Sequence, residues 1–474
     1  MFVASRPIGI FDRYRVPYVV DESTGSAELT RIAREDGQGA ELHAIAVRPN
    51  AAALGPAELE DARVHARVAD PWTADRLART LGGDWSDQLA LTGLDRPAHV
   101  AIKRRSDGSV LVPFDLDAPL DALLREEYIP NGRSVRRIVT RGYYRARALI
   151  PYRVQMGLRR RYRAIQERAA FPAWPTETSL HRLEALLLRL VEDVAGEPLP
   201  WLSPWPEPYE WTLVLTHDVE RRWGYERIDR VREVEAAHDL RSAWYLVPER
   251  DYIVGDDVLF RLRAAGCEIG LHGLRHDGRD LSPGEFNQRL TAMRAYVERW
   301  DVEGFRSPST HRSPALIPQL GVRHDSSWSD VAIYEPEPGG TCSWLPYFIG
   351  DVVELPITLP QDHTLFRIRN EQSDRVWVDK TTFLRGQRGM ALMLTHPDYL
   401  DDEILGHYDR FLALQANDSS VWHALPREVA AWWRRRASSA PARENGSWVV
   451  RGPAAGEARV HLGAPAPPPA AVHS

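Results

Sequence analysis

Residues 211–220 read WTLVLTHDVE, an apolar run that ends in a histidine, an aspartate and, after one valine, a glutamate. Such a run is typical of a buried strand. Side chains two apart on an extended chain point the same way. Asp218 and Glu220 are therefore predicted to share one face while Val219 packs behind them. The alternative is an ordinary turn after a strand, since aspartate is common in turns.

Strand-like runs alternate with helical patterns from this stretch to residue 396. Alternation of this kind favours parallel strands joined by crossover helices, and so an α/β fold. The seven runs suit a barrel slightly smaller than the eight-stranded type. The runs are WTLVLTH (211–217), SAWYLVP (242–248), CEIGLH (267–272), VEGFRSP (302–308), GVRHDSS (321–327), VVELPIT (352–358) and MALMLTH (390–396).

Ionisable residues cluster at the ends of these predicted strands. In a barrel of alternating strands and helices, the C-terminal strand ends share one face and build the active site. Five strands are therefore predicted to present such groups at one mouth. The groups are His217, Asp218, Glu220, His272, Arg306, Asp325 and His396.

A second histidine follows the first in HGLRH, residues 272–276. On a helical turn this spacing puts two imidazoles on one face, about 5 to 6 Å apart, close enough to share a metal ion. The spacing alone is frequent by chance. A carboxylate from another strand end would complete a two-histidine, one-carboxylate site, the pattern of catalytic zinc and of some iron and cobalt hydrolytic sites.

Five short motifs, in this order, resemble the polysaccharide deacetylases, carbohydrate esterase family 4. They are THDVE, HGLRH, FRSP, the HDSS region and LTHP. The resemblance implies a (β/α)7 barrel of the polysaccharide deacetylase type. It also implies metal-dependent hydrolysis of an amide bond, above all N-deacetylation of an N-acetylated sugar or polysaccharide precursor. The implied cofactor is a divalent ion, Zn²⁺ in the first place and Co²⁺ or Ni²⁺ as alternatives.

The same resemblance implies a role for each matching residue. The matches are Asp218 for the catalytic base, Arg306 for the arginine that holds it, Glu220, His272 and His276 for the metal ligands, and His396 for the acid. An aspartate that tunes the acid matches Asp325 or, alternatively, Asp330. The ordinary structural alternatives are an ion pair for Arg306 and a satisfied core histidine for His396.

The sequence departs from the commonest family pattern at two positions. Two adjacent aspartates are the usual first motif, whereas here Val219 follows Asp218 and the second carboxylate is Glu220. Gly273 stands where a serine or threonine often follows the first histidine. The resemblance therefore implies a branch with a D-x-E first motif.

Sequence pattern and composition predict the domain boundaries of the chain. Residues 1–130 mix short strand-like runs with helical stretches and predict a small α+β domain of unknown role. Residues 131–204 predict an arginine-rich helical segment and linker, and residues 205–436 the (β/α)7 catalytic domain. Residues 437–474 are rich in Ala, Pro, Ser and Gly, and predict a disordered tail.

Residues 133–168 hold twelve arginines and a single acid, Glu167. Three interpretations stand side by side: a solvated helical face, a site for an anionic ligand such as a phosphate-linked sugar, or a patch that binds an acidic membrane surface. Nucleic acid is not expected as a partner, because no nucleic-acid-binding fold accompanies the charge.

Bulk properties narrow the class of protein without naming a substrate. The net charge of −6 excludes a generally polycationic protein. Neither a signal peptide nor a transmembrane segment is recognisable, so a cytoplasmic location is expected. Two alternatives to a carbohydrate deacetylase stay open: a hydrolase of another, cyclic amide, and a catalytically silent glycan-binding module. Nothing in the sequence indicates the oligomeric state.

Overall fold

The structure, a computed structural model, describes residues 1–47, 53–94, 98–129, 157, 166–167, 171–282 and 284–470. The predicted anion or membrane contact of residues 133–168 therefore lies outside the described residues, apart from 157, 166 and 167. The chain divides into two compact units. The first comprises Met1–Ile129, Glu177–Glu207 and Arg435–Ala471, and the second Pro130–Thr176, Pro208–Arg434 and Val472–Ser474.

The elements of the described residues are numbered in chain order. The strands are β1 (Phe2–Ala4), β2 (Tyr18–Val20), β3 (Leu29–Arg34), β4 (Leu42–Ile45), β5 (Ala53–Leu54), β6 (Ala57–Leu59), β7 (Ala62–Val64), β8 (Val68–Ala69), β9 (Trp85–Gly93), β10 (His99–Arg105), β11 (Val110–Val112), β12 (Pro200–Leu202), β13 (Trp211–Val219), β14 (Ser242–Leu246), β15 (Glu268–Leu271), β16 (Gly304–Phe305), β17 (His324–Asp325), β18 (Tyr347–Ile349), β19 (Val352–Glu354), β20 (Met390–Thr395), β21 (Val421–His423), β22 (Ala440–Glu444), β23 (Ser447–Arg451) and β24 (Val460–Leu462). The α-helices are α1 (Gly9–Tyr14), α2 (Pro71–Leu81), α3 (Ala118–Leu124), α4 (Ser179–Ala195), α5 (Arg222–Tyr225), α6 (Ile228–Ala236), α7 (Asp256–Ala264), α8 (Phe286–Arg299), α9 (Arg375–Gly386), α10 (Asp402–Gln415) and α11 (Pro426–Ala437). Shorter helical pieces are the 3₁₀ helices Glu22–Thr24, Pro308–Thr310 and Ile317–Leu320 and the π-helix His363–Arg369.

The first unit contains a mixed nine-stranded sheet in the order β2-β1-β3-β4-β11-β10-β9-β6-β7. Helix α4 packs on this unit because its leucines recur every three or four residues and form one buried stripe. The helix ends at Gly196, whose φ of 67° suits the left-handed conformation of a helix C-terminus. Residues 177–204, predicted as part of a linker, therefore belong to the first unit.

The prediction of a disordered tail is wrong for residues 440–462, which carry β22, β23 and β24. Strand β24 pairs antiparallel with β12, and the rings of Trp201 and His461 stack with centroids 4.6 Å apart. The buried Arg436 guanidinium donates to the carbonyl oxygens of Leu202 and Ser203. These partners lie more than two hundred residues away in sequence, so local composition does not reveal them.

The second unit is built on a curled, largely parallel sheet. Its spatial order is β18-β19-β17-β16-β15-β14-β13-β20, with β21 also paired to β13, and only β18 runs antiparallel to its neighbour among the described strands. Past β19, the backbone N–H groups of Thr358 and Leu359 donate to the carbonyl oxygen of Leu392 on β20. The segment after β19 therefore lies beside β20, and the curled sheet belongs to a mixed α/β unit of the class that the alternating pattern predicts.

Strand β13 is buried along its whole length, as expected for a parallel strand covered on both faces. Helices α6 to α10 alternate with the strands of the second unit. Among the described residues, no helix is both long and apolar enough to cross a membrane.

Candidate active site

The C-terminal ends of five parallel strands place charged side chains at one edge of the curled sheet. Glu220 directly follows β13, His272 follows β15, Arg306 follows β16 and His396 follows β20. A fifth group, Asp362, lies beyond the end of β19. The edge that the strand pattern predicts for an active site thus holds most of the predicted residues.

Asp218 and Glu220 have the alternating arrangement that the D-x-E spacing predicts. Val219 between them is fully buried, while the Asp218 and Glu220 carboxylates both face the histidines of HGLRH. Asp218 Oδ2 lies 3.6 Å from His272 Nε2, and Glu220 Oε1 lies 2.9 Å from His276 Nε2. One strand end therefore supplies two carboxylates to the same site.

Arg306 is fully buried and every nitrogen of its guanidinium has an acceptor. Nη1 donates to Asp218 Oδ1 at 3.0 Å and to Thr216 Oγ1 at 2.9 Å. Nε and Nη2 donate to the carbonyl and hydroxyl oxygens of Ser326, both at 2.8 Å. The guanidinium also lies over the Tyr245 ring, 4.4 Å from its centroid. Because the arginine is held on all sides, it fixes one oxygen of Asp218 and leaves the other facing the histidines.

Gly270 on β15 makes room for the Tyr245 ring. A Cβ at Gly270 would lie 2.4 Å from Tyr245 Cδ1, and the ring cannot retreat because Arg306 lies over it. We expect Gly270→Ala to lower the free energy of unfolding by about 1–3 kcal/mol, the usual cost of overpacking, as measured by urea unfolding.

Gly386 at the end of α9 offers the matched control, because a Cβ there meets no atom within 4 Å. Gly386→Ala should leave the free energy of unfolding unchanged or raise it by up to about 1 kcal/mol. Equal stability of the two variants would show that Tyr245 can move away.

The two histidines of HGLRH meet, as they would on a helical turn, but no helix holds them. Residues 272–276 form an irregular loop in which His276 has a φ of 54°. The ring centroids lie 5.1 Å apart. A left-handed conformation is unusual for a residue with a side chain, so the surrounding loop must hold His276 in place.

Gly273 in the same loop explains one departure from the family pattern. Its φ is 64°, and a Cβ would lie 2.3 Å from Asp280 Oδ2 and 2.6 Å from Pro308 Cγ. A serine or threonine side chain has no space at this position, because Asp280 and Pro308 pack against the backbone of Gly273.

Glu220, His272 and His276 form a cluster that fits a divalent metal ion. One ligand atom from each lies within 4.8 Å of the others. The Nδ1–H of His272 donates to the carbonyl oxygen of Arg306 at 3.0 Å, so its buried Nε2 carries the lone pair and has no hydrogen-bond partner. Burial lowers the pKa of His272 to about 4, which leaves the ring neutral at pH 7. A neutral imidazole with an unpartnered nitrogen is the form that binds metals.

Glu220 supplies the negative charge of this cluster. Burial raises its pKa, but attraction to His276 and a hydrogen bond from that ring outweigh the effect and hold the pKa well below its ordinary value. The carboxylate is therefore ionised at neutral pH. Two imidazoles and one carboxylate match the donor set of some catalytic zinc sites.

His396 makes two contacts with a residue that no sequence motif indicated. Its Nδ1 lies 2.7 Å from Asp362 Oδ1, and its backbone N–H donates to Asp362 Oδ2 at 2.8 Å. Burial lowers the pKa of His396, but the Asp362 carboxylate more than offsets this and raises it to about 10. His396 is therefore protonated at neutral pH, with Nε2 3.9 Å from Glu220 Oε1.

Asp325 and Asp330 do not lie beside His396, so the structure corrects the prediction that either tunes it. Asp330 pairs with the buried Lys380 at 2.7 Å. Asp325 accepts a hydrogen bond from Ser327 and shares another with Glu354. Burial raises the pKa of Asp325 to about 6 and that of Glu354 further, which is the behaviour of two carboxyls that share a proton.

Comparison with known proteins adds structural relatives but no sequence relatives. No protein-family model matches the chain, and no curated protein matches it. Solved structures match about half of it. Peptidoglycan and chitin deacetylases are among them.

Three of these structures illustrate the level of similarity. PuuE allantoinase is 16% identical with a TM-score of 0.39, covering 49% of this chain and 93% of its own. The peptidoglycan deacetylase PdaC from Bacillus subtilis is 12% identical with a TM-score of 0.32, and the match covers 49% of this chain and 96% of PdaC. The chitin deacetylase from Colletotrichum lindemuthianum is 12% identical with a TM-score of 0.32, and the match covers 48% of this chain and 89% of that enzyme. Similarity at this level does not by itself assign a function.

Side chains without a predicted role complete the site. Thr216 and Ser326 bind Arg306, and the strand spacing could have indicated Thr216, because it lies two residues before Asp218 on the same face. Asp362 and Asp398 carry no such signal. His217, which the strand-end pattern groups with Asp218 at the mouth, instead binds the Glu235 carboxylate at 2.6 Å, because neighbouring side chains on a strand point to opposite faces.

Asp362→Asn is expected to lower kcat by about tenfold to a hundredfold, because an amide cannot hold the His396 proton as a carboxylate does. Asp325→Asn is the matched control, since Asp325 already shares a proton and does not contact His396. The measurement is the steady-state rate of both variants with the same metal content. A larger loss for Asp325→Asn than for Asp362→Asn would contradict the assignment of Asp362.

Proposed function

We propose that the second unit is a metal-dependent hydrolase of an amide bond that removes acetyl groups from an N-acetylated sugar or polysaccharide precursor. The observation that carries this proposal is the buried Asp218–Arg306 pair beside the cluster of Glu220, His272 and His276. A fixed carboxylate next to a metal-binding donor set is what activation of water requires. The choice of an N-acetylated sugar rests on the five-motif resemblance.

The fold proposed for this unit is a (β/α)7 barrel of the polysaccharide deacetylase type. Support comes from the parallel pairs that join β19, β17, β16, β15, β14, β13 and β20 in spatial order. The hydrogen bonds from Thr358 and Leu359 to Leu392 support closure of that barrel.

The metal ligands in this proposal are Glu220, His272 and His276. A divalent ion such as Zn²⁺, Co²⁺ or Ni²⁺, when bound there, lowers the pKa of its water towards about 7 and polarises the acyl oxygen. Burial keeps His272 neutral and the pKa of Glu220 lies well below its ordinary value, so at pH 7 these two ligands are already in the form that binds a metal.

Asp218 is the proposed general base. Arg306 donates a hydrogen bond to Oδ1 at 3.0 Å, which fixes the orientation of the carboxylate. Oδ2 faces the metal-binding cluster, 3.6 Å from His272 Nε2, and is the atom that would accept the proton of the attacking water. The rigid support of Arg306 by Ser326 and Thr216 keeps that oxygen in place.

His396 is the proposed general acid. An amine leaves poorly as a free anion at neutral pH, so the reaction needs a proton donor. Asp362 binds Nδ1 and stabilises the imidazolium, which leaves the Nε2–H facing the site. His396 can therefore hand its Nε2 proton to the departing nitrogen.

Acetate release tests the proposal directly. The protein loaded with Zn²⁺, Co²⁺ or Ni²⁺ should release acetate from N-acetylglucosamine oligomers or from peptidoglycan fragments. Chelation should abolish the release and metal should restore it. A protein that binds these glycans but releases no acetate with any of the three metals would be a silent binding module, and the proposed function would be wrong.

A further inference from the structure

Glu220 lies just beyond the hydrogen-bonded part of its strand. The ladder between β13 and β20 ends at the pair His217 and Thr395, and the ladder between β13 and β14 ends at Val219 and Leu246. Sheet pairing therefore does not fix the backbone of Glu220. A side chain that must meet two histidines needs some other support.

Asp398 supplies support from the loop after β20. Its Oδ2 accepts the backbone N–H of Glu220 at 3.0 Å, and its Oδ1 accepts the backbone N–H of Gly224 at 3.0 Å. One carboxylate thus joins both ends of the turn that follows β13. The approach is close enough to require glycine, because a Cβ at Gly224 would lie 2.4 Å from Asp398 Oδ2.

Arg250 supplies support from the loop after β14. Its Nε donates to the carbonyl oxygen of Glu220 at 3.1 Å, and its Nη1 donates to the carbonyl oxygen of Arg275 at 3.1 Å. Arg275 directly precedes His276, the residue with the left-handed backbone. One guanidinium therefore ties the strand end of Glu220 to the loop of His276.

A third contact strengthens the same turn. The Tyr252 hydroxyl donates to the carbonyl oxygen of Val219 at 2.6 Å and accepts the backbone N–H of Val247 at 2.9 Å. The backbone groups on both sides of the Glu220 side chain are thus bound by side chains from two other loops.

We propose that Asp398 and Arg250 are positioning residues of the metal centre, which hold Glu220 and His276 at the separation that a divalent ion needs. The inference rests on the proposed function, since it assigns a role to two residues that do not touch the metal themselves. A carboxylate ligand on a free loop end would lose conformational entropy on binding, whereas a fixed one has lost it during folding. The two residues are therefore expected to set metal affinity.

The test is the affinity for Co²⁺, measured by titration of the metal-free full-length protein, with the visible absorption spectrum as a readout of coordination geometry. Asp398→Asn replaces one acceptor by an NH₂ group that faces a backbone N–H. Arg250→Lys loses the fork that reaches two carbonyl oxygens. Each is expected to weaken Co²⁺ binding by about 10–100-fold and to alter the spectrum.

Asp401→Asn is the matched control three residues further along the same loop. Asp401 Oδ1 also accepts a backbone N–H, that of Ile404 at the start of α10, but it does not contact the turn of Glu220. Asparagine caps a helix about as well as aspartate. This variant should keep the affinity and spectrum of the native protein.

The outcomes separate the inference from the proposed function. A native protein that binds Co²⁺ while both variants bind it equally tightly would overturn the positioning role and leave the hydrolase proposal intact. A native protein that binds no Co²⁺ would overturn both. If circular dichroism shows that Asp398→Asn does not fold, the partly exposed Arg250 decides the matter, and undiminished affinity in Arg250→Lys overturns the inference.

Discussion

Asp218→Asn is expected to lower kcat for acetate release by about 10²–10⁴, the range typical for loss of a general base. The substitution preserves the shape of the side chain, and its oxygen can still accept the Arg306 hydrogen bond. An amide cannot accept the proton of the attacking water. Metal content should stay at the native level, because the ligand cluster of Glu220, His272 and His276 is untouched.

The measurement pairs the rate with the metal stoichiometry of the same sample. A loss of rate with full metal content identifies Asp218 as the base. Undiminished activity in Asp218→Asn would remove Asp218 from that role, and a parallel loss of metal would instead make it a ligand.

Glu220→Gln is expected to remove the metal from the protein as purified and, with it, the activity. The variant keeps the size of the side chain but loses the only carboxylate of the cluster. Loss of a residue that supports a ligand typically weakens metal binding by about 10–100-fold. Loss of a ligand itself should weaken it more. The readouts are metal analysis and thermal unfolding with and without Zn²⁺, since a ligand that binds the folded state raises the unfolding temperature.

Glu249→Gln is the matched control for this variant. Glu249 forms an ion pair at 2.7 Å with Arg275, an exposed residue that directly precedes His276. Neither member of the pair belongs to the cluster. An exposed ion pair contributes little, about 0–1 kcal/mol, so this variant should bind Zn²⁺ as the native protein does. A Zn²⁺-dependent rise in unfolding temperature that persists in Glu220→Gln would exclude Glu220 as a ligand.

The strands of the second unit could be predicted from the sequence because their apolar runs are local. All seven predicted runs contain an observed strand, although β16 and β17 shrink to two residues each. The D-x-E spacing likewise predicted the shared face of Asp218 and Glu220, since strand geometry has a fixed period. Such features depend only on neighbours along the chain.

Contacts between distant loops could not be predicted in this way. Asp362 reaches His396 from a stretch, LPQDHT, with no motif and no regular period. The spacing of His272 and His276 would bring the two rings together on a helical turn, but the loop reaches that ring separation through a left-handed residue. In both cases the tertiary structure, and not a local preference, sets the geometry.

The division of the chain into units has a consequence for the order of synthesis and folding. The first unit combines Met1–Ile129 with Glu177–Glu207 and Arg435–Ala471, so its strand β12 cannot pair with β24 until residues 460–462 have been synthesised. The strands and site residues of the second unit lie within Pro208–Arg434, so all of them are synthesised before β24. Since contacts distant in sequence form slowly, the second unit is expected to fold before the first.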